Sequence, residues 1–208
     1  EATHLVAEGA ADFVTVDRIM RQAAGFRMGP FELLDLTALD VTHPATVAIY
    51  EQTFHEPRFR PATLMDQRRQ AGLLGRKTGQ GHYVYRDGKP EVPDEAPAPA
   101  FDGGRFWIDP SRPKAAAALA AIVQAAGGTV DAGARPAGDS VLLVAPLGED
   151  ASSCAVAHGL DATRVVAVDP LFGFAGRRSM MGTPVTDPAV LTRAQALLAA
   201  DGTPVSVL

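Results

Sequence analysis

The stretch Gly25-Phe26-Arg27-Met28-Gly29-Pro30-Phe31-Glu32-Leu33-Leu34-Asp35 decides how the first part of this chain folds. Pro30 suits the first turn of a helix, because its fixed φ is helical and its missing N–H has no partner there. Phe31, Leu34 and Ala38 then fall on one face of the helix. The stretch therefore predicts a turn at residues 25–29 followed by an amphipathic helix.

Three further helices are predicted around this one. The first has Thr15 as its N-cap and Gly25 as its stop, with an apolar face made of Val16, Ile19, Met20 and Ala23. Pro44 suits the first turn of the next, with Val47 and Phe54 as its apolar residues. Pro61 starts the last, with Leu64 and Met65 apolar and Gly72 near its end. We therefore expect residues 1–86 to form a small all-α domain.

A second glycine-rich stretch, Gly75-Arg76-Lys77-Thr78-Gly79-Gln80-Gly81, leads into His82-Tyr83-Val84-Tyr85. A phosphate-binding loop has glycine directly before its lysine and a helix after its threonine. Here Arg76 precedes Lys77, and a strand-like run follows. The stretch is better interpreted as a tight glycine turn that ends the helical domain.

The pattern changes after residues 87–100, which contain four prolines, one basic and four acidic residues and predict a semi-rigid linker. In residues 101–208 we predict strands at 106–108, 140–145, 164–168 and 203–207, and helices at 111–126, 150–158 and 188–200. Strands that alternate with helices are typical of a parallel α/β sheet. The turn Ala145-Pro146-Leu147-Gly148-Glu149-Asp150 has one glycine and two acids, so a structural module is favoured over a dinucleotide site.

Composition excludes several classes of protein. The net charge of −5 argues against nucleic-acid binding, and no apolar run is long enough for a membrane span. The single cysteine, Cys154, excludes a disulfide framework and is interpreted as a core residue in a reducing compartment. None of the five histidines has a partner at metal-ligand spacing, so we expect no metal site. Both ends of the chain fall inside regular patterns, so we expect a piece of a longer protein.

Two groups of charged residues have competing interpretations. Arg58, Arg60, Arg68, Arg69, Arg76 and Lys77 form a basic group that could contact the phosphates of a ligand such as coenzyme A, with Arg68 and Arg69 as the candidates. A solvated helix face or a subunit contact is the favoured alternative. Glu32, Asp35 and Asp40 could do acid–base chemistry, but helix capping and charge complementarity at a helix N-terminus are favoured.

Residues 1–86 resemble the C-terminal domain of 3-hydroxyacyl-CoA dehydrogenases. The residues that carry the resemblance are Glu1-Ala2, Glu8-Gly9, Val16-Asp17, Met20, Gly25, Met28-Gly29-Pro30-Phe31-Glu32-Leu33, Asp35, Leu39-Asp40, Gly72, Leu74-Gly75-Arg76-Lys77-Thr78-Gly79, Gly81, Tyr83 and Tyr85. Ala38 and His82 depart from the family, which usually has glycine and phenylalanine there. Less specifically, Arg177–Met181 and Thr183–Asp187 resemble a reduced Rossmann-like module of some bacterial members.

The resemblance implies a multidomain protein: a 6-phosphogluconate dehydrogenase C-terminal-like helical domain at 1–86, then a small parallel α/β domain at 101–208. It implies an enzyme that oxidises a (3S)-3-hydroxyacyl-CoA, with 3-hydroxybutyryl-CoA the expected substrate, in fatty-acid β-oxidation. In the family a histidine–glutamate pair acts as base and hydride passes to NAD, but these groups belong to an NAD domain that does not map onto this sequence. We therefore expect no catalytic residue and no bound cofactor here, and an inactive isolated chain.

What this chain would supply is part of the acyl pocket, at Phe26, Arg27, Met28, Gly29 and Pro30, and a homodimer interface in a cytoplasmic enzyme. Glycines let backbone approach a ligand, and Met28 would be an adaptable apolar wall. The alternative is that the turn only packs helix on helix. A second hypothesis assigns the chain to another functional class: it would be a non-catalytic dimerisation or interaction module that binds no substrate.

Overall fold

Residues 1–208 are all described by the computed structural model, which divides them into unit 1, Glu1–Glu95, and unit 2, Ala96–Leu208. Unit 1 contains five α-helices: α1 (Ala2–Ala7), α2 (Phe13–Gln22), α3 (Pro30–Thr37), α4 (Leu39–Gln52) and α5 (Thr63–Gln70). Two single 3₁₀ turns cover Pro57–Phe59 and Arg76–Thr78. No helix of either unit combines the length and apolar character needed to cross a membrane.

The core of unit 1 is centred on Phe31, the second residue of α3. Phe31 is fully buried and packs with Val14 and Val16 of α2 and with Tyr83. Pro30 occupies the first position of α3, as predicted, and the structure confirms that Phe31 faces the core. The rings of Phe13 and Tyr83 meet edge to face at 5.2 Å, a favourable geometry for aromatic pairs.

Three details of the helix predictions are wrong. The N-cap of α2 is Asp12 and not Thr15, because the Asp12 carboxylate accepts a hydrogen bond from the Thr15 amide at 2.6 Å. Pro44 lies inside α4, which already begins at Leu39. Phe54 lies beyond the end of α4 with a φ of 55° and is 95% exposed, so it does not contribute to the core.

The start of the predicted linker is also more ordered than expected. Strands β1 (Tyr85–Arg86) and β2 (Lys89–Pro90) form an antiparallel hairpin. Its two-residue turn is Asp87-Gly88, with φ of 50° and 74°. Positive φ at both central residues is what the turn of a two-residue hairpin needs, and an Asp-Gly pair tolerates it.

Unit 2 contains, in chain order, β3 (Arg105–Ile108), α6 (Pro113–Ala125), β4 (Thr129–Asp131), β5 (Val141–Val144), α7 (Ala151–Ala157), β6 (Val165–Val168), β7 (Arg178–Gly182), α8 (Pro188–Ala199) and β8 (Val205–Val207). The six strands form one sheet in the order β4-β3-β5-β6-β7-β8. Strands β4 and β7 were not predicted from the sequence.

The sheet is mostly, but not wholly, parallel. Strands β6 and β7 run antiparallel, with Val168 opposite Met180, so the predicted parallel sheet contains one antiparallel pair. The segment between them contains no helix. A parallel pairing of consecutive strands needs a long crossover connection, usually a helix. The connection from β6 to β7 contains no helix, so the two strands pair antiparallel.

Helices cover both faces of the sheet. Leu119 of α6 and Leu197 of α8 pack with Phe106 and Leu143 on one face. Cys154 of α7 packs with Leu142 on the other. All four residues of β5 and all four of β6 are buried, so the prediction of strands enclosed on both faces is confirmed there.

Candidate functional site

Two buried carboxylates hold α3, the helix that follows the candidate acyl-pocket turn, in unit 1. The first is Asp17 of α2, whose two oxygens accept hydrogen bonds from the amides of Phe31 at 2.8 Å and Glu32 at 2.9 Å. These amides belong to the first turn of α3 and have no partner within the helix. Tyr83 donates its hydroxyl to Asp17 at 2.8 Å. Asp17 therefore fixes the start of α3 against α2 and against the end of unit 1.

The second carboxylate is Asp35, at the buried side of α3. Its oxygens accept hydrogen bonds from the amide of His82 at 2.9 Å, the amide of Tyr83 at 3.0 Å and the hydroxyl of Tyr85 at 3.2 Å. The ring nitrogen Nδ1 of His82 lies 2.8 Å from the same carboxylate. The other ring nitrogen, Nε2, is buried without a hydrogen-bond partner. Asp35 thus ties α3 to the residues that follow the glycine turn.

Burial and hydrogen bonding shift the pKa values of these groups in different directions. Burial raises the pKa of Asp17, although the hydrogen bonds from Phe31, Tyr83 and Glu32 oppose it. At Asp35, burial alone would raise the pKa, but the hydrogen bonds from His82 and Tyr83 outweigh it and the net pKa is lowered. Burial and the neighbouring Asp17 raise the pKa of Tyr83 far above its usual range, so this phenol remains a donor.

Three glycines are needed because backbone passes against these aspartates. A Cβ on Gly29 would lie 2.2 Å from Cγ of Asp17, and one on Gly81 would lie 2.3 Å from Oδ1 of Asp35. A Cβ on Gly75 would meet the Asp35 carbonyl oxygen at 2.3 Å, and Gly75 also has a φ of 120°. The two glycine-rich stretches of the sequence are therefore explained by close approach of backbone to carboxylate, and not by phosphate binding.

The predicted acyl-pocket residues divide into exposed and covered ones. Phe26 is 55% exposed, Met28 is 38% exposed and Arg27 is also exposed. Gly29 is buried against Asp17, and Pro30 is partly covered at the start of α3. Only residues 26–28 can therefore present side chains to a ligand, while the next two position them.

The turn is held by Glu32. One carboxylate oxygen of Glu32 accepts a hydrogen bond from the Gly29 amide at 3.0 Å, and the other is paired with Arg21 at 2.9 Å. The favoured interpretation of Glu32 as a cap is thereby confirmed. Because the Gly29 end of the turn is fixed, the exposed side chain of Met28 projects from a defined backbone.

Arg68 and Arg69 are both used inside unit 1. Arg68 donates to the carbonyl of Gly81 and is drawn towards Asp35 by charge. Arg69 makes two hydrogen bonds to Asp66, at 3.0 and 2.7 Å. The contact of these two arginines with coenzyme A phosphates stays a prediction.

In unit 2, the strand order reverses between β3 and β5, where open α/β sheets bind ligands. The loop after β5 does not fit the pyrophosphate of NAD. Pro146 has no N–H to donate, and the carboxylate of Asp150 already accepts from the Ser153 amide at 2.8 Å at the start of α7. A second anion at that position would face the charges of Glu149 and Asp150.

One cavity of unit 2 has a volume of about 790 Å³ and was not predicted from the sequence. Arg112, Lys114, Phe172 and Phe174 are among the side chains that line it, together with the neighbouring backbone of α6. The cavity lies between one face of α6 and the loop at residues 170–175, and no signal in the sequence indicates that these two segments meet.

Comparison with known proteins finds that unit 1 is similar to one family. Residues 1–85 match the family described as "3-hydroxyacyl-CoA dehydrogenase, C-terminal domain". A probable 3-hydroxybutyryl-CoA dehydrogenase of Deinococcus radiodurans is 40% identical over 85 residues, covering 41% of this chain and 30% of that protein. The mitochondrial hydroxyacyl-coenzyme A dehydrogenase of Sus scrofa is 37% identical over 86 residues, covering 41% and 27%. The chain thus spans less than a third of the length of these relatives.

A solved structure is similar over both units. The crystal structure of 3-hydroxybutyryl-CoA dehydrogenase from Escherichia coli K12 aligns with 99% of this chain and 38% of its own, with a TM-score of 0.69 and 23% identity. At this identity the similarity concerns the fold alone. It agrees with a helical unit followed by a mostly parallel α/β unit.

Proposed function

We propose, on the premise that residues 1–85 belong to the 3-hydroxyacyl-CoA dehydrogenase C-terminal-domain family, that this chain is part of an enzyme oxidising a (3S)-3-hydroxyacyl-CoA to the 3-ketoacyl-CoA. The family match of residues 1–85 is the observation that carries the proposal. The proposed substrate is 3-hydroxybutyryl-CoA, which is the substrate in the name of the Deinococcus radiodurans relative. The proposed electron acceptor is NAD. The enzyme acts in the cytoplasm, in fatty-acid β-oxidation.

Within that enzyme, the turn at residues 25–29 forms one wall of the acyl pocket. Phe26 and Met28 offer an apolar surface that is only partly covered in unit 1. Met28 has an unbranched, adaptable side chain that suits contact with acyl chains. Glu32 and Asp17 fix the backbone where the turn enters α3, so this end of the wall is formed before the substrate arrives.

Of the two predicted contacts for the coenzyme A phosphates, Arg68 and Arg69, we propose only Arg69. Their roles within unit 1 limit this part of the proposal to Arg69, whose ion pair with Asp66 is partly exposed and can be exchanged for a phosphate. Arg68 acts by holding the carbonyl of Gly81 in place.

The base and the nicotinamide site are assigned to a domain outside residues 1–208. Two observations support this: the relatives are more than three times as long as the matched region, and the loop after β5 does not fit a pyrophosphate. We expect no NAD-dependent oxidation of 3-hydroxybutyryl-CoA by the 208-residue chain alone. Measurable turnover would contradict this assignment.

A homodimer is proposed from the apolar side chains that unit 1 exposes on α3. Leu33 and Leu36 lie three residues apart on this helix, so they share a face, and both are about half exposed. Exposed apolar residues clustered on one face are typical of a subunit contact. Changing both to glutamate should convert a dimer to a monomer in analytical ultracentrifugation.

The pocket assignment is tested by titrating acetoacetyl-CoA into the chain and measuring the heat of binding. We expect saturable binding that needs the acyl group and is weakened by Met28→Ala and Phe26→Ala. Phe59→Ala is the matched control, because Phe59 is a similarly exposed aromatic residue far from the turn in sequence. Equal binding of acetoacetyl-CoA and coenzyme A in all variants would overturn the assignment.

The second candidate is a non-catalytic dimerisation or interaction module, and the exposed leucines of α3 are the observation in its favour. It predicts a dimer that takes up no acyl-CoA. A dimer with no heat of acetoacetyl-CoA binding would support this candidate over the first.

A further inference from the structure

Three side chains of unit 2 that carry metal-binding atoms converge on one point. Asp109 directly follows β3, Cys154 lies in α7, and His158 caps the end of that helix. Nδ1 of His158 lies 3.2 Å from Oδ2 of Asp109 and 3.9 Å from Sγ of Cys154. All three candidate ligand atoms lie within 4.8 Å of one another. Cys154 and His158 are four residues apart, which places them on one face of the helix.

The two separations that involve His158 are close to those in a tetrahedral zinc site. With zinc–sulfur and zinc–nitrogen or zinc–oxygen bonds of about 2.3 and 2.1 Å, tetrahedral ligands lie roughly 3.3 to 3.6 Å apart. The observed nitrogen–oxygen and nitrogen–sulfur distances of 3.2 and 3.9 Å differ from these by a few tenths of an ångström. The third separation, between Sγ of Cys154 and the Asp109 carboxylate, lies within 4.8 Å, which is up to about 1.2 Å longer than the tetrahedral value. Side-chain rotations that bring the thiol and the carboxylate closer together are therefore needed to place all three atoms around one ion.

The carboxylate is held in position by a neighbouring residue. Ser111 donates its hydroxyl to Oδ2 of Asp109 at 2.5 Å and its amide to Oδ1 at 3.2 Å. Hydrogen bonds of this kind orient metal ligands. Asp109 and Cys154 are buried, whereas about a third of the His158 side chain is exposed. The group is thus enclosed on the protein side and open to solvent on one side.

A cysteine, a histidine and an aspartate could instead form a nucleophilic triad, but the geometry does not allow it. A triad uses one imidazole nitrogen for the nucleophile and the other for the carboxylate. Here the thiol and the carboxylate both lie against the same nitrogen, Nδ1 of His158. Burial, Glu149 and Asp109 raise the pKa of the Cys154 thiol to about 11, against the small opposing effect of Arg112, so it is no activated nucleophile.

We propose that Asp109, Cys154 and His158 bind a divalent cation of the zinc type, with a fourth position open to water. The mixed sulfur, nitrogen and oxygen donors match the preference of Zn²⁺ over Mg²⁺ or Ca²⁺. On binding, the thiol proton passes to solvent, and the thiolate and carboxylate together balance the two charges of the ion. This site is independent of the acyl-CoA function proposed for unit 1.

The test uses the 208-residue chain after chelation, titrated with Co²⁺ as a spectroscopic substitute for zinc. We expect one equivalent to produce a thiolate-to-cobalt charge-transfer band and the visible bands of tetrahedral cobalt, and Zn²⁺ to displace both. Asp109→Asn and His158→Ala should weaken binding more than about tenfold, since loss of an outer partner alone costs that much. Cys154→Ser should abolish the charge-transfer band.

Two controls separate the site from incidental binding. His55→Ala removes an exposed histidine of unit 1 and should leave the cobalt spectrum unchanged. Zinc should raise the unfolding temperature of the unchanged chain but not that of Asp109→Asn. This measurement tests the site without a variant at Cys154, which could fold poorly. Absence of a charge-transfer band, or uptake that persists in Asp109→Asn and His158→Ala, would overturn the proposal.

Discussion

The phenolic oxygen of Tyr83 lies 2.8 Å from Oδ2 of Asp17, and both residues are almost fully buried. The hydrogen bond joins the second helix of unit 1 to a segment 66 residues later in the chain. It also supplies one of the three donors that compensate the Asp17 carboxylate for its loss of water.

Tyr83→Phe should destabilise unit 1 by about 1–3 kcal/mol, because it leaves a buried carboxylate with one donor fewer. Tyr50→Phe is the matched control, since Tyr50 is only partly buried and its ring contacts His55. Urea unfolding followed by circular dichroism measures both. Equal losses in the two variants would show that the Asp17 contact contributes nothing particular.

Asp35→Asn should change how stability depends on pH. The pKa of Asp35 is lowered on folding, so its stabilising effect is present above the pKa of an unfolded aspartate, about 3.9, and is lost as pH falls through the folded pKa. The unchanged chain should therefore exceed the variant in stability at pH 7, and the difference should shrink below about pH 4. Unfolding free energies measured between pH 7 and 3 test this.

The control for that experiment is Asp40→Asn. Asp40 is an exposed residue paired with Lys77, and screening by solvent makes such a pair weak. A pH-independent difference between the unchanged chain and Asp35→Asn would contradict the prediction.

Gly29→Ala should be among the most damaging single-methyl additions in unit 1. Its Cβ would lie 2.2 Å from Asp17, and because the φ of Gly29 is −71°, the cost is steric and not conformational. We expect a loss of at least about 3 kcal/mol. A Cβ on Gly72 would meet no atom within 4 Å, and the only cost of Gly72→Ala is the φ of +75° that alanine must adopt. We therefore expect a loss of about 1 kcal/mol. Chemical denaturation should rank them in this order.

Ala38→Gly should stabilise the protein. Ala38 has a φ of 69° and a ψ of 139° between α3 and α4, where a side chain is strained by about 1–3 kcal/mol. After the entropic cost of glycine, a net gain of about 1 kcal/mol is expected. Ala48→Gly, inside α4, should instead lose about 1 kcal/mol. The unfolding temperature should therefore rise for Ala38→Gly and fall for Ala48→Gly. A lower unfolding temperature for Ala38→Gly would contradict the claim that the backbone of Ala38 is strained.

The sequence predicted the elements whose signal is local. Pro30 and Phe31 placed α3 correctly, and the apolar runs at 141–144 and 165–168 are buried strands. Strand β4 is three residues long and polar at its ends, so no hydrophobic periodicity marks it. Strand β7 begins with Arg178, and an arginine in the sequence suggests a surface position and not a strand of the core. In the structure Arg178 is buried and forms an ion pair with Asp201.

The buried carboxylates could not be predicted by the same means. In the sequence, Asp17 and Asp35 look like ordinary helix charges, because their partners Tyr83 and His82 lie 66 and 47 residues away. The same holds for Asp109, which is brought to Cys154 and His158 only by the sheet. The helical spacing of Cys154 and His158 was the one local signal for that group, and two ligands alone do not specify a site.

The glycine turn and the residues after it also determine when unit 1 can fold during its synthesis. Asp17 and Asp35 depend on donors from Tyr83, His82 and Tyr85, which are translated after all five helices of the unit. Until these residues leave the ribosome, the helices of a nascent chain would have to bury two carboxylates without those partners, which is unfavourable. The helices should therefore remain loosely associated on the ribosome and gain their native packing in one late step.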